Sequence, residues 1–307
     1  MQIAKRLHKN NFDVLAWNRS EQQRKEFQEF GGKVFATPTE VIESVTDQPR
    51  IFWVMLPHTI LDDFLFAPTF QSGQTPTAAS EFGADGIVKY LKAGDILIDG
   101  GNSYYKDTLR RSKQFTDLGI IFYDIGTSGG VWGLERGFAL MAGGPADHWR
   151  VIEPIVKTLS SGENYGLVGK SGAGHFVKMV HNGIEYGMME AIAEGYGIMQ
   201  ASEFQPDLGL VSKIYQKGSV VSSWLIDLTR NIFEKENIDQ TSGLIESTGE
   251  GEWTIKTAEE LGVDARVIKD AFQVRQESRE PKNQQKFSNK IVALLRKQFG
   301  GHAITKK

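Results

Sequence analysis

The chain has 307 residues, enough for about two domains at roughly 150 residues each. Hydrophobic residues make up 40% and charged residues 24%, and 35 Lys+Arg against 38 Asp+Glu leave a formal net charge of -3. That balance argues against a general nucleic-acid binder or an acidic tail, but not against small anionic substrates, which need only a local pocket. Cysteine is absent, which removes disulfides, Cys-ligated zinc, iron–sulfur clusters and thiol nucleophiles. No apolar run approaches the ~18–20 residues that span a bilayer. The opening MQIAKRLHKNNFDVLAW has no apolar stretch with a cleavage site. Together these features predict a cytoplasmic protein in a reducing compartment, with neither a membrane nor a nucleic-acid partner.

The first half alternates helix-like and strand-like segments. Residues 3–8 read as the end of an amphipathic helix, 13–17 as a short apolar strand and 22–30 as a polar helix. Residues 33–36 are extended and 39–45 helical. Residues 50–56 form a near-continuous apolar strand ending at Pro57. Between residues 66 and 86 the pattern lapses into Ser, Thr, Pro, Gly and Ala, which predicts a surface insertion. A strand over 96–99, a helix over 104–118 and a strand over 120–125 follow. Strands without polar alternation fit a parallel sheet covered on both faces. The predicted fold is therefore a Rossmann-like, doubly wound α/β domain over residues 1–168.

Beyond Gly172 the character changes. Residues 177–200 form a long helical pattern, followed by helices over 208–216, 220–235, 254–261, 265–278 and 286–298. No convincing strand follows about residue 168. An all-helical substrate and dimerisation domain is predicted over 169–307.

A dinucleotide-binding domain opens with a strand, G-x-G-x-x-G and a helix. Here residues 1–7 have the spacing of the helix after such a turn, and 13–17 looks like the second strand. The first strand and the glycine motif are not in the sequence. Two expectations follow: a true start upstream of Met1, or a fragmentary copy lacking a central strand of its sheet. At the end of 13–17 a carboxylate would receive the ribose of NAD, whereas an Arg accommodates the extra phosphate of NADP. The chain has Asn18, Arg19 and Ser20 there and no acid before Glu21. Arg19 alone reads better as a solvated loop residue, but its place straight after a strand favours NADP, with NAD possible.

The densest chemistry lies in GAGHFVKMVHNGIEYG, residues 172–187. On a helix, Lys178, His181/Asn182, Glu185/Tyr186 and Met189 share one face. Lys and Glu are poor core material unless paired. The bland alternative is a Lys178–Glu185 pair on a solvated stripe. Apolar flanks and permissive glycines favour a site instead. Two loops add to it. ILIDGGNS (96–103) ends a strand where ligands bind in open α/β sheets. In YDIGTSGGVWGLERGFALMAGG (123–144), Ser128, Gly129 and Gly130 offer a hydroxyl and backbone N–H groups. Each loop singly reads as a tight turn. His58, His148 and His175 have no carboxylate at ligand spacing, so no metal is expected.

Taken together, DGGNSYYKDTLRR, GTSGGVWGLERGFALMAGG, GAGHFVKMVHNGIEYG, GEGEWT and RKQFGGHA resemble the decarboxylating 6-phosphogluconate dehydrogenases. The resemblance runs over nearly the whole chain, and the length and VWGLE look like the shorter class of that family. It implies conversion of 6-phosphogluconate to ribulose 5-phosphate and CO2 with reduction of NADP, within the pentose phosphate pathway. It further implies that Lys178 is the general base and Glu185 the acid that protonates the enediol carbon. Asn102, Ser128, Gly129, Gly130, His181 and Asn182 would hold the sugar acid. Tyr186, Arg275 and, from a partner's tail, Arg296 and His302 would hold the phosphate end. Met55, Leu56, Pro57 and Asn102 would line the cofactor with Asn18, Arg19 and Ser20. A tail serving a neighbour's site implies a homodimer or homotetramer.

The residue types suit that chemistry independently. A lysine base must be neutral near pH 7, which desolvation favours. Phosphate suits the planar fork of arginine. A β-keto acid loses CO2 without a metal. The departures are the glycine motif, Thr248 where larger members carry a lysine, the loose match around Arg275, and the 66–86 insertion. Three rival readings remain: a β-hydroxyacid dehydrogenase for a non-phosphorylated substrate, a truncated remnant that binds sugar phosphate or a homologue, and a structural nucleotide-binding domain.

Overall fold

The computed structural model describes residues 1–66, 86–247 and 249–301. Most of the predicted insertion (67–85), Thr248 and His302 therefore lie outside the described residues. The chain divides into two compact units, Met1–Lys178 and Met179–Lys307.

The first unit begins with α1 (Gln2–Lys9), β1 (Leu15–Ala16), α2 (Glu21–Glu29), β2 (Lys33–Val34) and α3 (Pro38–Ser44). It continues with β3 (Ile51–Val54), α4 (His58–Phe66), β4 (Ile96–Asp99), α5 (Tyr105–Asp117) and β5 (Ile121–Ser128). It ends with α6 (Gly133–Arg136), β6 (Phe138–Gly143), α7 (Trp149–Leu159) and β7 (Ser160–Gly169). β1 and β2 pair in parallel, and β3 to β7 form a second, five-stranded sheet in chain order.

Strand alternation sets the core. Leu97 points with Phe52, Val54 and Phe122 into one apolar cluster, closed by Leu61, Phe64, Leu65 and Phe115. Ile96 and Ile98 point the other way, with Tyr123, Ile125, Leu140, Ile152 and Val156. The five-stranded sheet is thus covered on both faces, the arrangement that an unbroken apolar run demands. Each such fully buried side chain is worth ~1.5–3 kcal/mol.

The sheet is not uniformly parallel, as the apolar runs had suggested. β5 and β6 pair antiparallel, from Asp124 opposite Gly143 to Ser128 opposite Ala139. The connection over 129–137 holds a 3-10 turn and α6. That is too short for the crossover of a dozen or more residues that a parallel pair requires. Sequence reading assigned no elements to β6, α7 and β7, because their glycine-rich flanks obscure the periodicity.

The second unit is helical. The division falls inside α8 (Ala173–Ala201), and α9 (Leu208–Tyr215), α10 (Trp224–Lys235), α11 (Glu250–Leu261), α12 (Arg266–Glu277) and α13 (Phe287–Gly300) follow. α13 is buried from Asn289 to Arg296 and packs with Met189, Leu225, Leu228, Ile232 and Ala271 into one core. Among the described residues, no helix is long and apolar enough to cross a membrane.

Candidate active site

In the first unit, Asp124 of β5 organises the start of α8. Its carboxylate accepts the Gly172 N–H at 2.7 Å and the His175 N–H at 2.9 Å. Both donors belong to the first turn, where backbone N–H groups have no partner within the helix. Burial pushes the Asp124 carboxyl above its ordinary range, and these bonds oppose that shift. His175 is buried, with its Nδ1 2.7 Å from Thr108 Oγ1.

Lys178 lies one turn further along α8 and is only 7% exposed. A Cβ on Gly126 of β5 would come within 2.9 Å of the Gly174 carbonyl and would strike the Lys178 Cβ. The strand therefore touches the helix where the lysine emerges, and only glycine allows that approach. Lys178 is therefore not on a solvated stripe.

The two candidate loops are held by buried polar contacts and a glycine turn. Asp99 ends β4 buried, accepting from the Gly101 N–H at 3.1 Å and the Ser103 hydroxyl at 2.7 Å. Arg111 Nη1 stands 3.7 Å from the same carboxylate. This pins the turn on both sides of Asn102, which stays exposed. Ser128 ends β5, and Gly129 follows at φ 135°, a left-handed conformation suited to glycine.

The segments expected at a dinucleotide follow strand ends. Asn18, Arg19 and Ser20 lie between β1 and α2. Asn18 Oδ1 accepts from the Ser20 N–H at 2.8 Å, and Ser20 Oγ caps α2 by accepting from the Gln23 N–H at 3.4 Å. Arg24, which sequence reading missed, donates from Nη1 to the carbonyls of Asn18 and Arg19 and locks the turn. Its signal was weak, one arginine a turn into a polar helix. Arg19 and Ser20 are exposed. A turn with an exposed arginine, a hydroxyl and no carboxylate fits the phosphate-bearing ribose of NADP. Met55, Leu56 and Pro57 follow β3, with Met55 exposed.

In the second unit, α8 continues with His181, Asn182, Glu185 and Tyr186. His181 Nδ1 lies 3.0 Å from Asn182 Oδ1 and 3.9 Å from Glu185 Oε2. Asn182 and Tyr186 are buried, whereas Glu185 keeps 22% of its side chain exposed. The Thr254 hydroxyl of α11 donates to the Met179 carbonyl at 2.8 Å, which ties α11 to this stretch.

Arg275 of α12 is 2% exposed, with its guanidinium carbon 3.1 Å from the centre of the Tyr186 ring. Its Nε and Nη2 have no hydrogen-bond acceptor among the described residues. Burial lowers it to about 10, helped by Arg296. A buried guanidinium with unused donors is costly and awaits an anion.

Arg296 was expected from a partner's tail. Within the single chain it lies on the buried face of α13, 6% exposed and within electrostatic reach of Tyr186, Glu185, Glu246 and Glu250 of its own unit. Core residues 291–295 immediately before it on α13 fix its place. Glu190 was also missed. It is buried four residues beyond Tyr186, on the stripe that sequence reading continued through Met189. Among the described residues no group of His, Cys, Asp and Glu could hold a metal.

Comparison with known proteins agrees with this architecture. Residues 1–169 match the NAD binding domain of 6-phosphogluconate dehydrogenase, and residues 174–305 match the C-terminal domain of the same enzyme. The Bacillus subtilis protein YqeC is 37% identical over 306 residues, 99% of this chain and 95% of its own length. The NAD(+)-dependent, decarboxylating 6-phosphogluconate dehydrogenase of Haloferax volcanii is 30% identical over 298 residues, 96% of this chain and 91% of its own. Among solved structures, Plasmodium falciparum 6-phosphogluconate dehydrogenase, studied with NADP+ and with 6-phosphogluconate, superposes with a TM-score of 0.74. It is 26% identical, and the match covers 90% of this chain and 59% of that one. With family matches in both halves and relatives aligned along its length, the chain belongs to the 6-phosphogluconate dehydrogenase family.

Proposed function

We propose that the chain oxidises and decarboxylates 6-phosphogluconate to ribulose 5-phosphate, with NADP as the oxidant. The observation that carries this reading is the buried Arg275 guanidinium with unused donors beside Tyr186. A non-phosphorylated β-hydroxyacid whose carboxylate is held by Ser128, Gly129 and Gly130 would offer those donors no second anion.

Asn18, Arg19, Ser20, Met55, Leu56, Pro57 and Asn102 would hold NADP, which when bound would supply the hydride acceptor for the 3-hydroxyl carbon. Lys178 takes the proton of that hydroxyl. The 3-keto acid then releases CO2, its carbonyl taking up the electron pair. Protonated Lys178 returns its proton to that oxygen to give the enediol; as Glu185 delivers a proton to the enediol carbon, Lys178 takes the hydroxyl proton back and the ketone forms. Asn102, Ser128, Gly129, Gly130, His181 and Asn182 orient the sugar acid. Tyr186, Arg275, Arg296 and His302 receive the phosphate end.

The test is NADP reduction with 6-phosphogluconate against gluconate, with released CO2 measured in parallel. One CO2 per NADPH, dependent on the phosphate, supports the proposal. Equal rates with gluconate would assign a β-hydroxyacid dehydrogenase, and binding of 6-phosphogluconate without reduction would assign a remnant. For the cofactor, Arg19→Glu is expected to shift the kcat/KM ratio from NADP toward NAD by ~10-fold or more, through loss of a charge-assisted contact. An unchanged ratio would place the 2′-phosphate elsewhere.

A homodimer or homotetramer is part of this proposal. Ile184, Met188 and Ile198 repeat along α8 at helical spacing with exposed side chains, an apolar row suited to a second copy. The mass of the assembly in solution tests it, and a monomer would refute it.

A further inference from the structure

A second buried ionisable group accompanies the proposed phosphate anchor, and the proposed chemistry does not use it. Glu190 is 5% exposed on α8, and its Oε1 has no hydrogen-bond partner among the described residues. Arg275 of α12 acts on it electrostatically from another element, and Glu194 acts on it from the same helix. Arg275 in turn feels Tyr186 and Glu185 of α8 and Arg296 of α13. The two side chains are thus a buried acid and a buried base that feel each other's charge, with unused hydrogen-bonding atoms on each.

We propose that Glu190 is a positioning residue for the substrate phosphate, which takes up a proton when a phosphate dianion occupies Arg275. This rests on the reading of Arg275 as the phosphate anchor. As an anion, Glu190 competes with the ligand for the Arg275 charge and repels the dianion through a low-dielectric interior. As a neutral acid it does neither. Burial raises the Glu190 carboxyl to about 7, against the pull of Arg275, so both forms are populated near neutral pH. The sign follows. Below pH 7 Glu190 is neutral and Arg275 is fully available to the ligand. As the pH rises through 7 the acid ionises and affinity falls.

If the bound dianion raises Glu190 by one further unit, binding takes up ~0.4 proton per site at pH 7. The same shift weakens binding ~6-fold between pH 6.5 and 8.5.

The experiment is calorimetric titration of the full chain with 6-phosphogluconate in buffers of different ionisation heat, for the wild type and Glu190→Gln. Uptake of ~0.4 proton in the wild type, absent in a folded Glu190→Gln whose affinity barely changes with pH, supports the inference. Equal proton uptake in both proteins overturns it. Inhibition of the wild type by sulfate, a tetrahedral dianion that does not titrate here, is the second measurement and needs no variant. A sulfate inhibition constant that rises ~6-fold over the same range supports the inference, and a flat one overturns it. Failure of the wild type to bind 6-phosphogluconate at any pH would overturn the phosphate reading itself, and this inference with it.

Discussion

Lys178→Ala is expected to lower kcat for NADP reduction by ~10²–10⁴-fold, the usual contribution of a positioned general base. Substrate affinity should change far less, because the interaction lost is made in the transition state rather than on binding. The lysine is buried, and Gly126 sits where its side chain leaves α8, so the base of the side chain is packed closely against β5. A misplacement of about 1 Å at such a position costs ~10²-fold on its own. Steady-state kinetics with 6-phosphogluconate, alongside a separate measurement of its dissociation constant, checks this. Turnover within a few-fold of the wild type would remove Lys178 from the base role.

Arg275→Met is expected to raise KM for 6-phosphogluconate by ~10²-fold or more. Two unused donors, each forming a charge-assisted bond worth ~1.5–3 kcal/mol, set that scale. The variant should also lose most of its preference for 6-phosphogluconate over gluconate. Its thermal midpoint should hold or rise, since methionine removes a buried cation that lacks a full set of acceptors while keeping much of the volume. The combination is diagnostic. A loss of affinity with intact stability assigns the arginine to the ligand. A collapse of stability with unchanged discrimination would assign it to the fold instead.

The fold was largely legible because each segment carried its own periodicity. The apolar runs at 50–56 and 96–99 became β3 and β4, buried on both faces as such runs require. The helices after Gly172 were readable from the spacing of apolar residues alone. The antiparallel return of β6 was not, because strand direction depends on how the short 129–137 connection folds back, and not on apolar spacing. Lys178, Asn182, Glu185 and Tyr186 stood out because a helical face carrying so many polar groups is anomalous among apolar neighbours.

By itself, then, the sequence determined the class of each unit, the helix on which the candidate site residues lie and the types of those residues. These are local properties, written in spacings of two and of three to four residues. Only the tertiary structure decided which of those polar side chains are buried and what each one meets. It set Gly126 against Lys178, stacked Arg275 on Tyr186, drew Arg296 into the core of its own unit, and left Glu190 buried without a full set of partners. Those outcomes depend on contacts between residues far apart in the chain, and such contacts set the desolvation and charge environment of each group.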